Sequence, residues 1–124
     1  MNVPANLLYT KDHEWIRIDG DFGYVGITDF AQSELGDVVF LEIETLGESL
    51  KKEDVFGTIE AVKTVSDMFM PVGGEIVEVN PALDETPDVV NKDPYGKGWM
   101  VRIRITDPAE TGNLLTSEQY EALL

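Results

Sequence analysis

At 124 residues the chain has room for one domain and little more. Its 24 acidic residues against 9 basic give a formal net charge of −15, which excludes nucleic acid, whose phosphates need Lys and Arg, and an anionic membrane surface. With no cysteine, there is no disulfide, thiolate metal site or cysteine nucleophile.

The acidic excess has two readings. It is a solvated or salt-adapted surface, or it guides the chain to larger proteins with basic docking patches. No apolar run approaches the ~20 residues that span a bilayer. Residues 1–10 hold no basic residue and no sustained apolar region, so neither a secretory signal nor a transit peptide is expected. With Met1 at its start, the chain reads as a complete cytoplasmic protein of one domain, residues 1–124.

Leu7-Leu8-Tyr9 predicts a short first strand. Trp15, Ile16 and Ile18, the Asp19-Gly20-Asp21 turn and Phe22 to Ile27 predict a β-hairpin. Between Thr28 and Leu35 the period changes to that of a short helix. Thr28 or Asp29 is its cap, Phe30, Ala31 and Leu35 face inward, and Gly36 is its stop. Asp37 to Ile43 reads as a strand whose Val38-Val39-Phe40-Leu41 run predicts burial on both faces. Thr45 to Asp54 reads as a polar loop.

Phe56 to Val62 and Val65 to Val72 are two strand-like segments with a single Lys63 between them, bounded outside by Gly57 and Gly73-Gly74. Glu75 to Asn80 alternates as a half-exposed strand. Pro81 to Pro94 reads as loop with a helical turn at Asp88–Asn91, and Pro94-Tyr95-Gly96-Lys97-Gly98 as turn. Trp99 to Ile105 closes the strand pattern. Residues 109–124 predict helix, capped by Thr116 or Ser117, with Tyr120, Ala122, Leu123 and Leu124 as its apolar surface. Gly36 to Leu41 faintly echoes Gly74 to Val79, as expected of two half-motifs related by approximate symmetry. The class is mainly β: a sandwich or flattened barrel with short peripheral helices.

Catalytic patterns are missing. His13 is the one histidine, and there is no nucleophile elbow, phosphate loop or dinucleotide fingerprint. Attention falls on Lys63. It is either an ordinary solvated turn lysine or the attachment point of a swinging group. It sits between Val62 and Val65, where Asn-Gly or Asp-Gly would make a better tight turn. Strand formers on both sides supply a rigid base, and Glu60 and Asp67 offer handles to a modifying enzyme.

Glu60-Ala61-Val62-Lys63-Thr64-Val65-Ser66-Asp67, followed by Pro71-Val72-Gly73-Gly74-Glu75-Ile76-Val77-Glu78-Val79-Asn80, resembles the lipoyl-lysine segment of the glycine cleavage system H-protein family. His13-Glu14-Trp15, Gly26-Ile27-Thr28-Asp29-Phe30-Ala31-Gln32, Leu35-Gly36-Asp37-Val38-Val39-Phe40 and Asn91 to Trp99 resemble the same family in order and spacing. A lipoyl domain of a 2-oxoacid dehydrogenase typically shows Asp-Lys-Ala at the tip and a biotin carrier Met-Lys-Met; here the tip is Val62-Lys63-Thr64.

The resemblance implies a lipoyl-domain-like fold of two antiparallel sheets, with lipoate in amide linkage to Lys63. It implies a non-catalytic carrier visited by lipoate-attaching enzymes. The P-protein (glycine decarboxylase) would load an aminomethyl group. The T-protein (aminomethyltransferase) would pass its carbon to tetrahydrofolate, and the L-protein (dihydrolipoyl dehydrogenase) would reoxidise the dithiol. Amide formation removes the lysine charge, and about a dozen bonds give a reach on the order of 15 Å. Glu14 and Asp67 are candidates to shelter the loaded arm, because the resemblance places both near a cleft; the alternative for each is a solvated surface acid.

His13 either lines that cleft or is a hydrogen-bonded structural ring, the latter reading taking precedence. Asp12 stands where the family often has Ser, and Met68-Phe69-Met70 is bulkier than usual, enlarging an apolar wall or packing the core. A monomer is expected. A lipoate-relay carrier and an unmodified lipoyl-fold interaction module stay open as alternatives.

Overall fold

The alternation in Glu14–Asp19 (β2) and Phe22–Ile27 (β3) folds them into an antiparallel hairpin closed by Gly20 at φ 63. The structure, a computed structural model, describes residues 1–124. Leu8–Tyr9 (β1) pairs with the outer edge of β2. Thr28 then caps Asp29–Leu35 (α1), its hydroxyl accepting from the Ala31 N–H, and Gly36 ends the helix at φ 79. The chain continues through Val38–Glu42 (β4), Ser49–Leu50 (β5), Val55–Ala61 (β6), Val65–Phe69 (β7) and Gly74–Val79 (β8). Ala82–Glu85 (α2), Val89–Lys92 (α3), Val101–Ile105 (β9), a 3-10 turn at Pro108–Asn113 and Ser117–Glu121 (α4) complete it.

All strands pair antiparallel, in a six-stranded sheet of order β1-β2-β3-β9-β8-β5 and a three-stranded sheet of order β4-β6-β7. One core joins the two. Ile16, Val25, Ile76, Val101 and Ile103 of the larger sheet share it with Leu41, Phe56, Ile59 and Met68 of the smaller. Each such side chain contributes roughly 1.5–3 kcal/mol of apolar burial.

β2 is covered on both faces. Ile16 enters the main core, while Trp15 joins Leu7, Tyr9 and Tyr120 in a second cluster under α4. Gly26 lies opposite Trp15, and a Cβ there would stand 2.8 Å from the indole, so this pairing requires glycine.

Five expectations need correction. The 81–94 loop holds α2 at Ala82–Glu85 in addition to the expected turn, which is α3. β4 buries Val38 and Leu41 but leaves Val39 and Phe40 exposed, because a β-bulge between Val38 and Phe40 breaks the alternation. The 45–54 loop contains β5, which pairs with Glu75 and Gly74. The second strand beside Lys63 ends at Phe69 rather than Val72. Helix over 109–124 is confined to five residues after the 3-10 turn. Thr116 and Gln119 cap these reciprocally, and Leu123 and Leu124 stay exposed.

Candidate functional site

The site begins at the β6–β7 tip. Glu60 pairs with Val65, and the Ala61 N–H donates to the Thr64 carbonyl at 2.8 Å, which closes the loop around Val62 and Lys63. Neither of these two residues has a positive φ, so the tip forgoes the primed turns that Asn-Gly would favour. The Val62 N–H donates to the Asp37 carbonyl at 3.0 Å and ties the tip to the start of β4. Lys63 is exposed. Its stem lies across Gly36, where a Cβ would stand 3.5 Å from Cε and 3.9 Å from Nζ. Gly36 directly follows Leu35, a wall residue of the adjoining cleft, so the lysine starts at the rim of that cleft.

The cleft has a volume of about 390 Å³. Phe30, Ala31 and Leu35 of α1 form one apolar side, and Ile27, Ile59 and Met68 continue it toward the core. This explains why Phe30, Ala31 and Leu35 are only half-buried: their inward face is the cleft wall. Met68 meets both expectations for its bulk, since it is buried in the core and reaches the cleft. Asp12, Glu34 and Asp67 bring carboxylates to the opening.

Glu14 is buried, at 3% exposure, and touches the cleft. Its Oε1 accepts the Thr10 hydroxyl at 2.7 Å and its Oε2 the Phe69 N–H at 3.3 Å. Burial pushes its carboxyl up to about 7. The bonds from Thr10 and Phe69 oppose that rise, and Asp12 adds to it. The reading of Glu14 as a solvated surface acid is therefore corrected. Glu14 also borders a second hollow of about 220 Å³, whose lining includes Lys11, Lys52 and Met70. Asp67 is exposed on β7, facing Thr58 across the ladder and reaching the cleft, so it is both a solvated acid and a wall residue.

His13 combines its two readings. Its Nδ1 lies 2.7 Å from the Tyr120 hydroxyl, its ring packs 4.7 Å from Phe30, and it lines the cleft. Burial lowers its pKa, against the opposing pull of Asp12 and Glu34. Sequence reasoning missed Thr10 and Tyr120. Thr10 had a local signal, since its hydroxyl also accepts the Asp12 and Glu14 N–H groups in a side-chain turn. Tyr120 had none, because its partners are remote in the chain. No three His, Asp or Glu side chains are arranged to hold a metal ion. No helix is long and apolar enough to cross a membrane.

An exposed lysine at the rim of an apolar cleft with a buried carboxyl is the arrangement to be matched. The family model described as "Glycine cleavage H-protein" matches residues 7–124. A glycine cleavage system H protein from Bacteroides fragilis is 57% identical, covering 100% of this chain and 98% of that one. One from Chlorobium luteolum is 59% identical with the same coverage. The crystal structure of a glycine cleavage system H protein from Mycobacterium marinum superposes with a TM-score of 0.88 at 40% identity, covering 97% of both chains.

Proposed function

The chain belongs to the glycine cleavage H-protein family, and from that membership we propose that it is the lipoyl carrier of the glycine cleavage system, with lipoate in amide linkage to Lys63. Residues 1–124 act as one carrier domain. It is non-catalytic and monomeric, works in the cytoplasm, and moves the aminomethyl group of glycine from the P-protein to the T-protein. The L-protein and lipoate-attaching enzymes are its other partners.

The residues present fit such an arm. Lys63 is exposed, its stem is aimed along Gly36, and the neighbouring cleft offers apolar walls with acids at floor and mouth. When bound, the lipoyl group supplies the disulfide that is reduced and the sulfur that carries the one-carbon unit. The protein supplies position. The Ala61–Thr64 and Val62–Asp37 bonds fix the pivot, so that each encounter within the arm's reach happens at high effective concentration. Phe30, Leu35 and Met68 exclude water from the wall against which a loaded arm lies.

Glu14 and Asp67 would accept hydrogens from an amine carried on the arm. With its carboxyl near neutrality, Glu14 completes its ionisation when a cation arrives, because an adjacent positive charge favours the carboxylate.

The observation that carries this reading is the exposed Lys63 at the rim of the acid-floored cleft in a chain of this family. Intact mass after treatment with a lipoate-attaching enzyme tests it. Wild type should gain one lipoyl amide and Lys63→Arg none. Lipoylated wild type should then support glycine-dependent CO₂ release by the P-protein. A wild-type mass without the lipoyl amide, while another lipoyl protein in the same reaction is fully modified, overturns the proposal.

A further inference from the structure

The outer face of the three-stranded sheet carries apolar side chains that the core does not use. The bulge in β4 turns Val39 and Phe40 away from the core, at 48% and 50% exposure. Phe40 pairs with Glu60, and Glu60 with Val65, which is 64% exposed. The three form one row across the sheet on its solvent side. Val62, 75% exposed, stands just beyond the row beside Lys63 and is held there by its bond to Asp37. Scattered exposed apolar residues need no explanation, but a cluster at one end of one sheet does.

Glu60 stands within this row, and Asp37, Glu42 and Asp67 are exposed around it. Across β4, β6, β7 and the hairpin tip, Lys63 is the one cation, and amide formation removes its charge. We propose that Phe40, Val62 and Val65, with their acidic surround, form the docking surface for the enzyme that attaches the arm to Lys63. The partner is a folded protein offering an apolar depression edged by Lys and Arg. This inference rests on reading Lys63 as the attachment point.

Geometry ties the patch to the arm. Val62 is the neighbour of Lys63 and Val65 lies two residues on, so an enzyme that takes the lysine nitrogen approaches a hairpin tip on which both are exposed. Burying these residues supplies non-directional attraction, while the acids orient the approach and reject acidic surfaces. A second copy of the chain is a poor occupant, since it would bring like acids face to face between two bodies of net charge −15.

The test is lipoate attachment to the full chain by a purified lipoate–protein ligase with lipoate and ATP, initial rates being read by intact mass. Phe40→Ser and Val65→Ser should each lower kcat/KM about tenfold, chiefly through KM. Leu46→Ser, at an exposed apolar residue in the loop after β4, should leave it unchanged. Raising salt from about 0.05 to about 0.3 M should weaken wild type severalfold, and Glu60→Lys should lower kcat/KM and blunt that salt response. Melting curves establish that each variant is folded.

Lipoylation of wild type at Lys63 with Phe40→Ser and Val65→Ser at wild-type kcat/KM overturns the docking surface and leaves the attachment reading standing. No lipoylation of wild type overturns both. Sedimentation showing a wild-type dimer that Phe40→Ser dissolves would assign the face to self-association and also overturn the proposal.

Discussion

The Tyr120 hydroxyl meets Nδ1 of His13 at 2.7 Å although 107 residues separate them. The same hydroxyl lies 2.8 Å from Thr28 Oγ1, and its ring stacks 4.8 Å from Tyr9. A five-residue terminal helix thus holds both the helix cap of α1 and the residue preceding Glu14. His13 itself adopts a left-handed φ of 69, which these contacts sustain.

Burial lowers the pKa of His13, so its ring should titrate below 6.5. The stability contributed by the neutral ring is therefore present above 6.5 and lost as pH falls through the lower folded value. NMR titration of this single histidine reads the midpoint directly. Tyr120→Phe should cost about 1–2 kcal/mol in chemical unfolding, since it leaves a buried Thr28 hydroxyl and the imidazole without their partner.

Glu14 acts in the opposite direction. Its carboxyl rises from 4.5 to about 7 on folding, chiefly through burial. Its contribution is therefore fully present below about 4.5 and is lost as pH rises through about 7, on the order of 3 kcal/mol across that window. Unfolding free energies measured from pH 4 to 8 should show this decline superposed on the other titrations, and Glu14→Gln should remove it. A Gln variant with the wild-type slope would show that the carboxyl ionises freely in the fold.

If Glu14 and Asp67 shelter the loaded arm, Glu14→Ala and Asp67→Ala should each speed hydrolysis of the aminomethyl-loaded carrier, by about tenfold for a loss of ~1.4 kcal/mol in protection. Formaldehyde release in the absence of the T-protein measures it. Rates equal to wild type in both variants would remove these two acids from the shelter.

Gly26→Ala should destabilise the protein by about 1–3 kcal/mol, because its new methyl enters the Trp15 ring at 2.8 Å and the indole is held in place. The Trp15 Nε1–H donates to the Pro94 carbonyl at 3.0 Å, so the ring does not move away without breaking that bond. Thermal melting of the alanine variant checks this.

The elements written into local chemistry were legible in sequence. Thr28 and Gly36 bound α1 as expected, and the turn at Asp19-Gly20-Asp21 joins the strands it separates. Lys63 stood out because it interrupts two strand-forming segments where Asn-Gly or Asp-Gly would make a better tight turn. What escaped depended on remote partners. β5 is two residues long and exists only because β8 pairs with it. Val39 and Phe40 read as buried because residue type alone carries no record of a bulge. Glu14 stayed open between a shelter residue and a surface acid, since the N–H that helps satisfy it in the interior belongs to Phe69, 55 residues on.

The hydrogen bond from Phe69 to Glu14 joins a strand of the small sheet to a strand of the large one. The cleft is consequently a seam, with His13 and Glu14 on one plate and Ser66, Asp67 and Met68 on the other. Glu14 is thus a fastener between the two plates as well as an acid of the cleft.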